Sequence, residues 1–341
     1  MGELPYAHGG PPLSGVLRAR AEDFQVEELL GFAPTGAGEH AFLTVEKRGA
    51  NTEWVAKRLA AHVGVGPGSV GFAGLKDRHA VARQHFTVHL PGRADPDWLV
   101  LADPEFSVIA ATRHARKLPR GALAGNRFVL VVREIAGDRD AADVCLDRIA
   151  RLGAPNYFGS QRFGSEGGNL ERARAMFGGR RVGREQRGFL LSSARAELFN
   201  RVLAERVADR SWNGARAGDV FQFDRGGSVF GPVSDDPNVN ARVDQGQIHP
   251  TGPLWGHGPL RSAHRVAELE TAIAAGEREL ADGLVAAGLR QERRALRMLP
   301  EGLAWQWLPD QCLRLEFGLG SGSYATVLAR EVITSAPVPD N

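Results

Sequence analysis

Between Asn51 and Val63 the apolar residues Val55, Leu59 and Val63 recur every four positions, with Asn51 placed to cap the start and Gly64 to end it. That spacing predicts a helix. The period then shortens. Val70 to Ala73 is a short apolar run and Gly74 to Arg78 a polar turn. Gln84 to Leu90 alternates, with Phe86, Val88 and Leu90 facing one way and His85, Thr87 and His89 the other. This reads as strand, loop, strand. Phe128, Leu130 and Val132 alternate again after Gly125-Asn126, and Ala142, Cys145, Ile149 and Leu152 restore a helical period across Asp140 to Leu152.

From Leu152 to Met298 the texture changes, with glycine pairs at Gly167-Gly168, Gly178-Gly179 and Gly226-Gly227 and a Gly/Pro-rich stretch from Thr251 to Pro259. Strand character returns where Leu313, Leu315, Phe317 and Leu319 alternate with Cys312, Arg314 and Glu316. A Gly/Ser-rich turn from Gly318 to Ser323 then leads into a helix through Tyr324 and Val327 to Val332. If that last strand completes the sheet begun in the first 150 residues, the middle segment is an insertion. The expected organisation is therefore one domain from 1–151 and 299–341 and an inserted domain from 152–298, each α+β, the first with a mixed or antiparallel sheet.

The chain has 341 residues, 43% hydrophobic and 24% charged, the balance of an ordinary globular protein with room for a sizeable core. No basic stretch leading into an apolar run opens the sequence and no window approaches a membrane span, so a cytoplasmic protein with no membrane partner is expected. Cys145 and Cys312 stand far apart in no paired spacing, which argues for buried, reduced thiols rather than a disulfide framework or zinc site. The formal charge is only +2, but it is clustered. From Phe106 to Arg133 lie Arg113, Arg116, Lys117, Arg120, Arg127 and Arg133 without one acidic residue, a stretch suited to a polyanion. A second run holds Arg180, Arg181, Arg184 and Arg187. A third, Arg290, Arg293, Arg294 and Arg297, reads as the solvated face of a helix.

Several chemistries lack their motifs. No Gly-x-Gly-x-x-Gly follows a strand, no Gly-Lys-Ser/Thr phosphate loop occurs, and there is neither a His-Glu-x-x-His pair nor a Gly-x-Ser-x-Gly elbow. His85 and His89 share a strand face with no carboxylate near them in sequence. No metal or cofactor is expected. Carboxylates, cations and rings remain. Lys76-Asp77-Arg78 sets an acid between two cations at the end of a short apolar strand, where a side chain can project into a cleft. Flanking positive charge favours an ionised Asp77, the form that acts as a nucleophile or stabilises positive charge at a glycosidic carbon. Alone, such a turn is more often a solvated salt-bridge cluster.

Five ordered segments change that balance: Glu22-Asp23-Phe24-Gln25-Val26-Glu27-Glu28; Phe72-Ala73-Gly74-Leu75-Lys76-Asp77-Arg78-His79-Ala80-Val81; Gly121-Ala122-Leu123-Ala124-Gly125-Asn126-Arg127-Phe128; Pro155-Asn156-Tyr157-Phe158-Gly159-Ser160-Gln161-Arg162-Phe163-Gly164; and Gly322-Ser323-Tyr324-Ala325-Thr326. Together they resemble, across nearly the whole chain, the TruD family of pseudouridine synthases. The resemblance implies that family's synthase fold, a tRNA substrate, isomerisation of the D-arm uridine at position 13 and no cofactor. It further implies catalysis by Asp77 with Lys76 orienting or charge-balancing it, and a base pocket drawing on Phe24, Asn126, Phe128 and Tyr324. The chain departs from the family pattern at Ala82-Arg83, where relatives commonly carry a threonine, and at Tyr324, where relatives often carry phenylalanine.

A second enzymatic reading, a carboxylate-dependent hydrolase of nucleosides or glycans, would need a second well-placed acid near Asp77, and none is evident. A third is an RNA-binding protein that depends only on its basic surface. A monomer is expected.

Overall fold

The computed structural model describes residues 4–164, 167–224, 226–234 and 236–335, so the ends of the expected 1–151 and 299–341 segments lie outside the described residues. The chain divides into two compact units, one from 13–138, 300–322 and 333–341 and the other from 1–12, 139–299 and 323–332. The first is built on a sheet and the second is rich in helices. The sheet unit is thus interrupted after Asp138 and resumed at Pro300. The helix-rich unit takes in an N-terminal segment and 323–332 besides the middle of the chain.

The sheet unit contains β1 (Leu13–Leu17), β2 (Phe24–Leu29), β3 (His40–Arg48), β4 (Val70–Phe72), β5 (Val81–His89), β6 (Ala102–Asp103), β7 (Phe106–His114) and β8 (Gly125–Gly137). The hairpin Glu301–Leu308 and Cys312–Gly320 and the short strand Ile333–Ser335 complete it. Along the sheet the order is 301–308, 312–320, β8, β2, β5, β3, β7, β6, with β1 on β8 and 333–335, and β4 on β5. The β2–β5 and β1–333–335 pairs are parallel and the rest antiparallel, so the sheet is mixed.

Helix α1 (Thr52–His62) starts after Asn51 and stops at Gly64, whose φ of +65° is a conformation glycine adopts without steric cost. It buries Val55 and Leu59 against Leu43, Phe86 and Val88. Full burial of such side chains contributes about 1.5–3 kcal/mol each. Gly125 opens β8. A Cβ there would run into the Leu319 carbonyl oxygen of the neighbouring strand, so only glycine lets the two backbones meet.

One feature of the sheet positions the candidate site. β5 pairs with β3 along its whole length, but its other edge is shared. Parallel β2 covers Val81 to Arg83, and antiparallel β4 covers Phe86 to Val88. The edge forks between them, at Gln84 and His85.

In the helix-rich unit the 25-residue α2 (Arg184–Ala208) is packed by the helices at Gly168–Phe177, His264–Gly276 and Arg278–Ala286 and by the strand Ile248–Leu254. Its core includes Leu190, Ala194, Leu198, Leu280 and Leu284. The run from Arg290 to Arg297 corrects the expectation of a solvated helix. It forms strands Glu292–Ala295 and Arg297–Met298, and Arg293, Arg294 and Arg297 turn inward while Arg290 stays exposed. Arg293 pairs with Glu270, and Arg297 donates to the Val243 carbonyl and to His249. Those acceptors are distant in sequence, which is why the run looked solvated. The final helix, Ala325–Ala329, is shorter than expected because strand 333–335 follows it.

Arg206 and Asp219 form a buried pair, 1% and 0% exposed, with Nη1–Oδ1 at 2.7 Å and Nη2–Oδ2 at 3.0 Å. Removing one partner of such a pair strands the other charge in low dielectric, at a cost of about 3–5 kcal/mol. Arg206→Met is therefore expected to lower the urea midpoint by that equivalent; a change below about 1 kcal/mol would contradict the assignment.

Candidate active site

Asp77 lies in residues 73–80, which join β4 to β5 without helix or strand bonding of their own. The segment is instead tied down by buried polar groups. Gln84, at the fork, donates from Nε2 to the Gly74 carbonyl (2.7 Å). Its Oε1 accepts the Thr52 hydroxyl (3.0 Å), and Thr52 Oγ1 in turn accepts the Lys76 amide (3.1 Å). Lys47 Nζ donates to the carbonyls of Ala50 (2.8 Å) and Asp77 (2.9 Å). Arg78 Nε donates to the Gly49 carbonyl (2.8 Å), and the Gly121 amide to that of Ala73 (2.7 Å).

The Asp77 carboxylate leaves this scaffold partly exposed. Its Oδ1 accepts the His79 amide (3.0 Å) and its Oδ2 pairs with Arg18 Nη1 (2.9 Å). Arg18 is held at φ +62°, a region that non-glycine residues seldom occupy and that often marks a functional constraint. Its guanidinium lies over the Phe24 ring, 4.2 Å from Cζ to centroid, and its Nε is buried with no hydrogen-bond partner among the described residues.

Lys76, expected to serve Asp77, points elsewhere. Its Nζ is 2.8 Å from Glu28 Oε1, an ion pair whose geometry is not that of a directed hydrogen bond. Glu28, at the end of β2, also accepts the His85 amide through Oε2 (2.8 Å), satisfying a backbone donor that the fork leaves without a strand partner. Burial pushes the Glu28 carboxyl up, but contacts from His85 and the Lys76 ammonium outweigh it and hold the group below its ordinary 4.5. The carboxylate near His85, invisible in local sequence, is thus Glu28, while Glu39 lies 3.4 Å from His89. Among the described residues no group of three or more His, Cys, Asp or Glu could hold a metal ion.

The expected base-binding residues divide. Phe24 and Phe128 are buried, 5% and 7% exposed, and meet edge to face at 6.1 Å. Asn126 stands opposite Glu28 in the β2–β8 register, and its Oδ1 is buried with no partner among the described residues. These three share one sheet face with Val26, Ala82, Gln84 and Lys47. Tyr324 belongs to the helix-rich unit. There its hydroxyl accepts from Arg162 Nη2 (2.6 Å), and its ring packs against Phe158 at 6.3 Å. The Asn156 to Gly164 run supplies that surrounding network: Arg162 also reaches Ser192, and Arg294 stacks on Phe158 at 4.2 Å while donating to Asn156 Oδ1 (2.7 Å). Burial lowers the Arg294 guanidinium to about 10.

The basic stretch from Phe106 to Arg133 is less available than its sequence implied. Arg113, Arg120, Arg127 and Arg133 pair with Asp95, Glu53, Glu316 and Asp23, all brought from elsewhere by the fold. By contrast Arg180, Arg181, Arg184 and Arg187 are exposed, and among the described residues none pairs with a carboxylate.

A family profile described as tRNA pseudouridine synthase D (TruD) matches residues 1–173 and 175–332. The chain belongs to the TruD family. It is similar to the tRNA pseudouridine synthase D of Xanthomonas axonopodis pv. citri (strain 306), 49% identical over 96% of this chain and 94% of that one. It also resembles that of Methylococcus capsulatus (strain ATCC 33009 / NCIMB 11132 / Bath), 46% identical over 98% and 95%. A crystal structure from Methanosarcina mazei, described as a candidate tRNA pseudouridine synthase D, matches the fold with a TM-score of 0.71 at 20% identity, covering 96% of this chain and 95% of that one. The TruD family is one of pseudouridine synthases, which are isomerases.

Sequence reasoning passed over Arg18, Lys47, Thr52 and Gln84, and quoted Glu28 without a role. Lys47 carried a signal: it continues the Leu43, Val45 alternation of β3 at a position whose side chain must face inward. Because the Glu28 pKa is depressed in the fold, the stability its charge confers is complete above pH 4.5 and is lost as pH falls through the lowered value. Urea midpoints measured from pH 6 to pH 3 should fall less steeply for Glu28→Gln than for the wild type; parallel curves would contradict this.

Proposed function

We propose that this chain converts a tRNA uridine, the D-arm uridine at position 13, into pseudouridine, with Asp77 as the catalytic carboxylate. The observation that carries the reading is a carboxylate fixed through its backbone, partly exposed, and joined to a cation that itself lies over an aromatic ring. In the reaction the C1′–N1 bond of uridine breaks, the uracil turns while held, and C5 bonds to C1′. The proton on C5 is released and N1 gains one. Nothing is oxidised or transferred away. Asp77 serves either as the nucleophile at C1′ or as stabiliser and proton acceptor on a glycal route, and both need an ionised oxygen, which the Arg18 contact favours. The unpaired Asn126 Oδ1 is suited to accept a uracil N–H, since a buried acceptor gains most from a donor brought by substrate. Phe24 and Phe128 form the wall behind the Arg18 plane, on which a flipped base can stack. In this reading Lys76 acts through Glu28 to hold the loop.

The interruption of the sheet unit between Asp138 and Pro300 supports reading the middle of the chain as an insertion. We assign the RNA backbone chiefly to its exposed arginines, Arg180, Arg181, Arg184 and Arg187, rather than to the paired cations before Arg133. Removing one cation that neutralises a phosphate reduces the slope of log affinity against log salt by about 0.7–0.9. Changing all four arginines to alanine should flatten that slope by at least one such step in filter binding of tRNA; an unchanged slope would rule this surface out as the RNA-backbone site.

The test of the reaction is tritium release from a tRNA transcript tritiated at uridine C5. The wild type should release tritium, and Asp77→Asn should bind the transcript equally and release none. Equal binding with no release by either protein would favour an RNA-binding role instead.

A further inference from the structure

Lys47 is a charged side chain only 1% exposed, buried at the end of β3. Its register partners are Ala82 on β5 and Phe106 on β7, neither of which offers it a charge or a hydrogen bond. A buried ammonium demands acceptors, and among the described residues Lys47 finds them in main-chain carbonyls: Ala50 at 2.8 Å, Asp77 at 2.9 Å and, at the 3.5 Å limit, Lys76. The first lies just beyond β3, and the other two lie in the segment that bears the candidate carboxylate. The small Ala82 leaves space beside the stem on the same sheet face.

A fold that wanted only to fill this position would use an apolar residue, which needs no partners and carries no desolvation cost. We infer that Lys47 is a positioning residue for Asp77: its ammonium straps the Asp77 carbonyl to the end of β3, so that the carboxylate projects at a fixed height above the sheet face and beside a positive charge. The inference rests on the reading of Asp77 as the catalytic carboxylate.

Lys47 touches no reacting atom, so its effect must pass through Asp77. The charged groups that face it are Asp77 and Lys76 from the loop and Glu28 from β2. Burial lowers its ammonium to about 8, against the pull of Asp77. The strap should therefore weaken within an accessible alkaline range.

The test compares full-length wild type, Lys47→Met and Asp77→Asn in single-turnover tritium release from C5-tritiated tRNA, with tRNA affinity measured in parallel. Lys47→Met keeps the length of the stem and removes the three donors. Its rate constant should fall about 10²-fold, the usual penalty for a misplaced reacting group, while tRNA affinity stays within about twofold. The wild-type rate should drop about tenfold between pH 7 and pH 9, and the Met variant should lack that limb. A Lys47→Met rate within about twofold of wild type, beside an inactive Asp77→Asn, overturns this inference alone. Tritium release by Asp77→Asn at the wild-type rate overturns the underlying reading and this inference with it. Should Lys47→Met fail to fold, the wild-type profile decides, and a flat rate from pH 7 to pH 9 with tRNA still bound overturns the inference.

Discussion

A loop that must aim a carboxylate has no repeating hydrogen-bond pattern to hold it, so its aim depends on buried groups donated by its neighbours. In this chain those groups are the Lys47 ammonium, the Gln84 carboxamide and the Thr52 hydroxyl, and each bonds to main chain between Gly74 and Asp77. Bonds to the backbone hold the loop without drawing on the Asp77 side chain, whose Oδ1 accepts the His79 amide and whose Oδ2 pairs with Arg18. The arrangement is internally consistent because every one of those anchors is itself fixed, Lys47 and Gln84 by their strands and Thr52 by the first turn of α1.

The fork in the edge of β5 explains why the anchors converge where they do. β2 and β4 cannot both occupy one edge, so between them the His85 amide loses its strand partner and Gln84 faces a gap. Glu28 fills the first need and the loop fills the second. Placing Glu28 there requires a cation, which Lys76 supplies, and that commitment turns Lys76 away from Asp77. Arg18 is then the cation available to the carboxylate, at the cost of a left-handed backbone. An interruption in sheet pairing is thereby converted into a charged, partly exposed site between well-bonded strands.

The alternating strands around Phe86, Phe128 and Leu315 and the helix from Thr52 were legible because each buries one regular face. So was the neighbourhood of Asp77, through five ordered segments and not through any single turn. What local reading missed has one cause: the partner of a charge is set by sheet topology, not by its sequence neighbours. Arg18 and Asp77 are 59 positions apart, and Lys76 and Glu28 are 48. The same cause misread Arg293 and Arg297, whose acceptors Glu270, Val243 and His249 come from other elements. It also made the stretch before Arg133 look more open to a polyanion than it is, since Asp23 and Glu316 reach it only in the fold.

The chemistry proposed for this fold comes down to one carboxylate, at one place, rebuilding one nucleoside, and mapping the product tests it at the nucleotide itself. An unmodified tRNA transcript is incubated with wild type or Asp77→Asn, treated with carbodiimide and copied by reverse transcriptase, which halts one nucleotide before a derivatised pseudouridine. A single new stop for position 13 is expected with the wild type and none with Asp77→Asn. A stop that persists in Asp77→Asn would contradict the role of the carboxylate, and a wild-type stop confined to another position would contradict the choice of uridine.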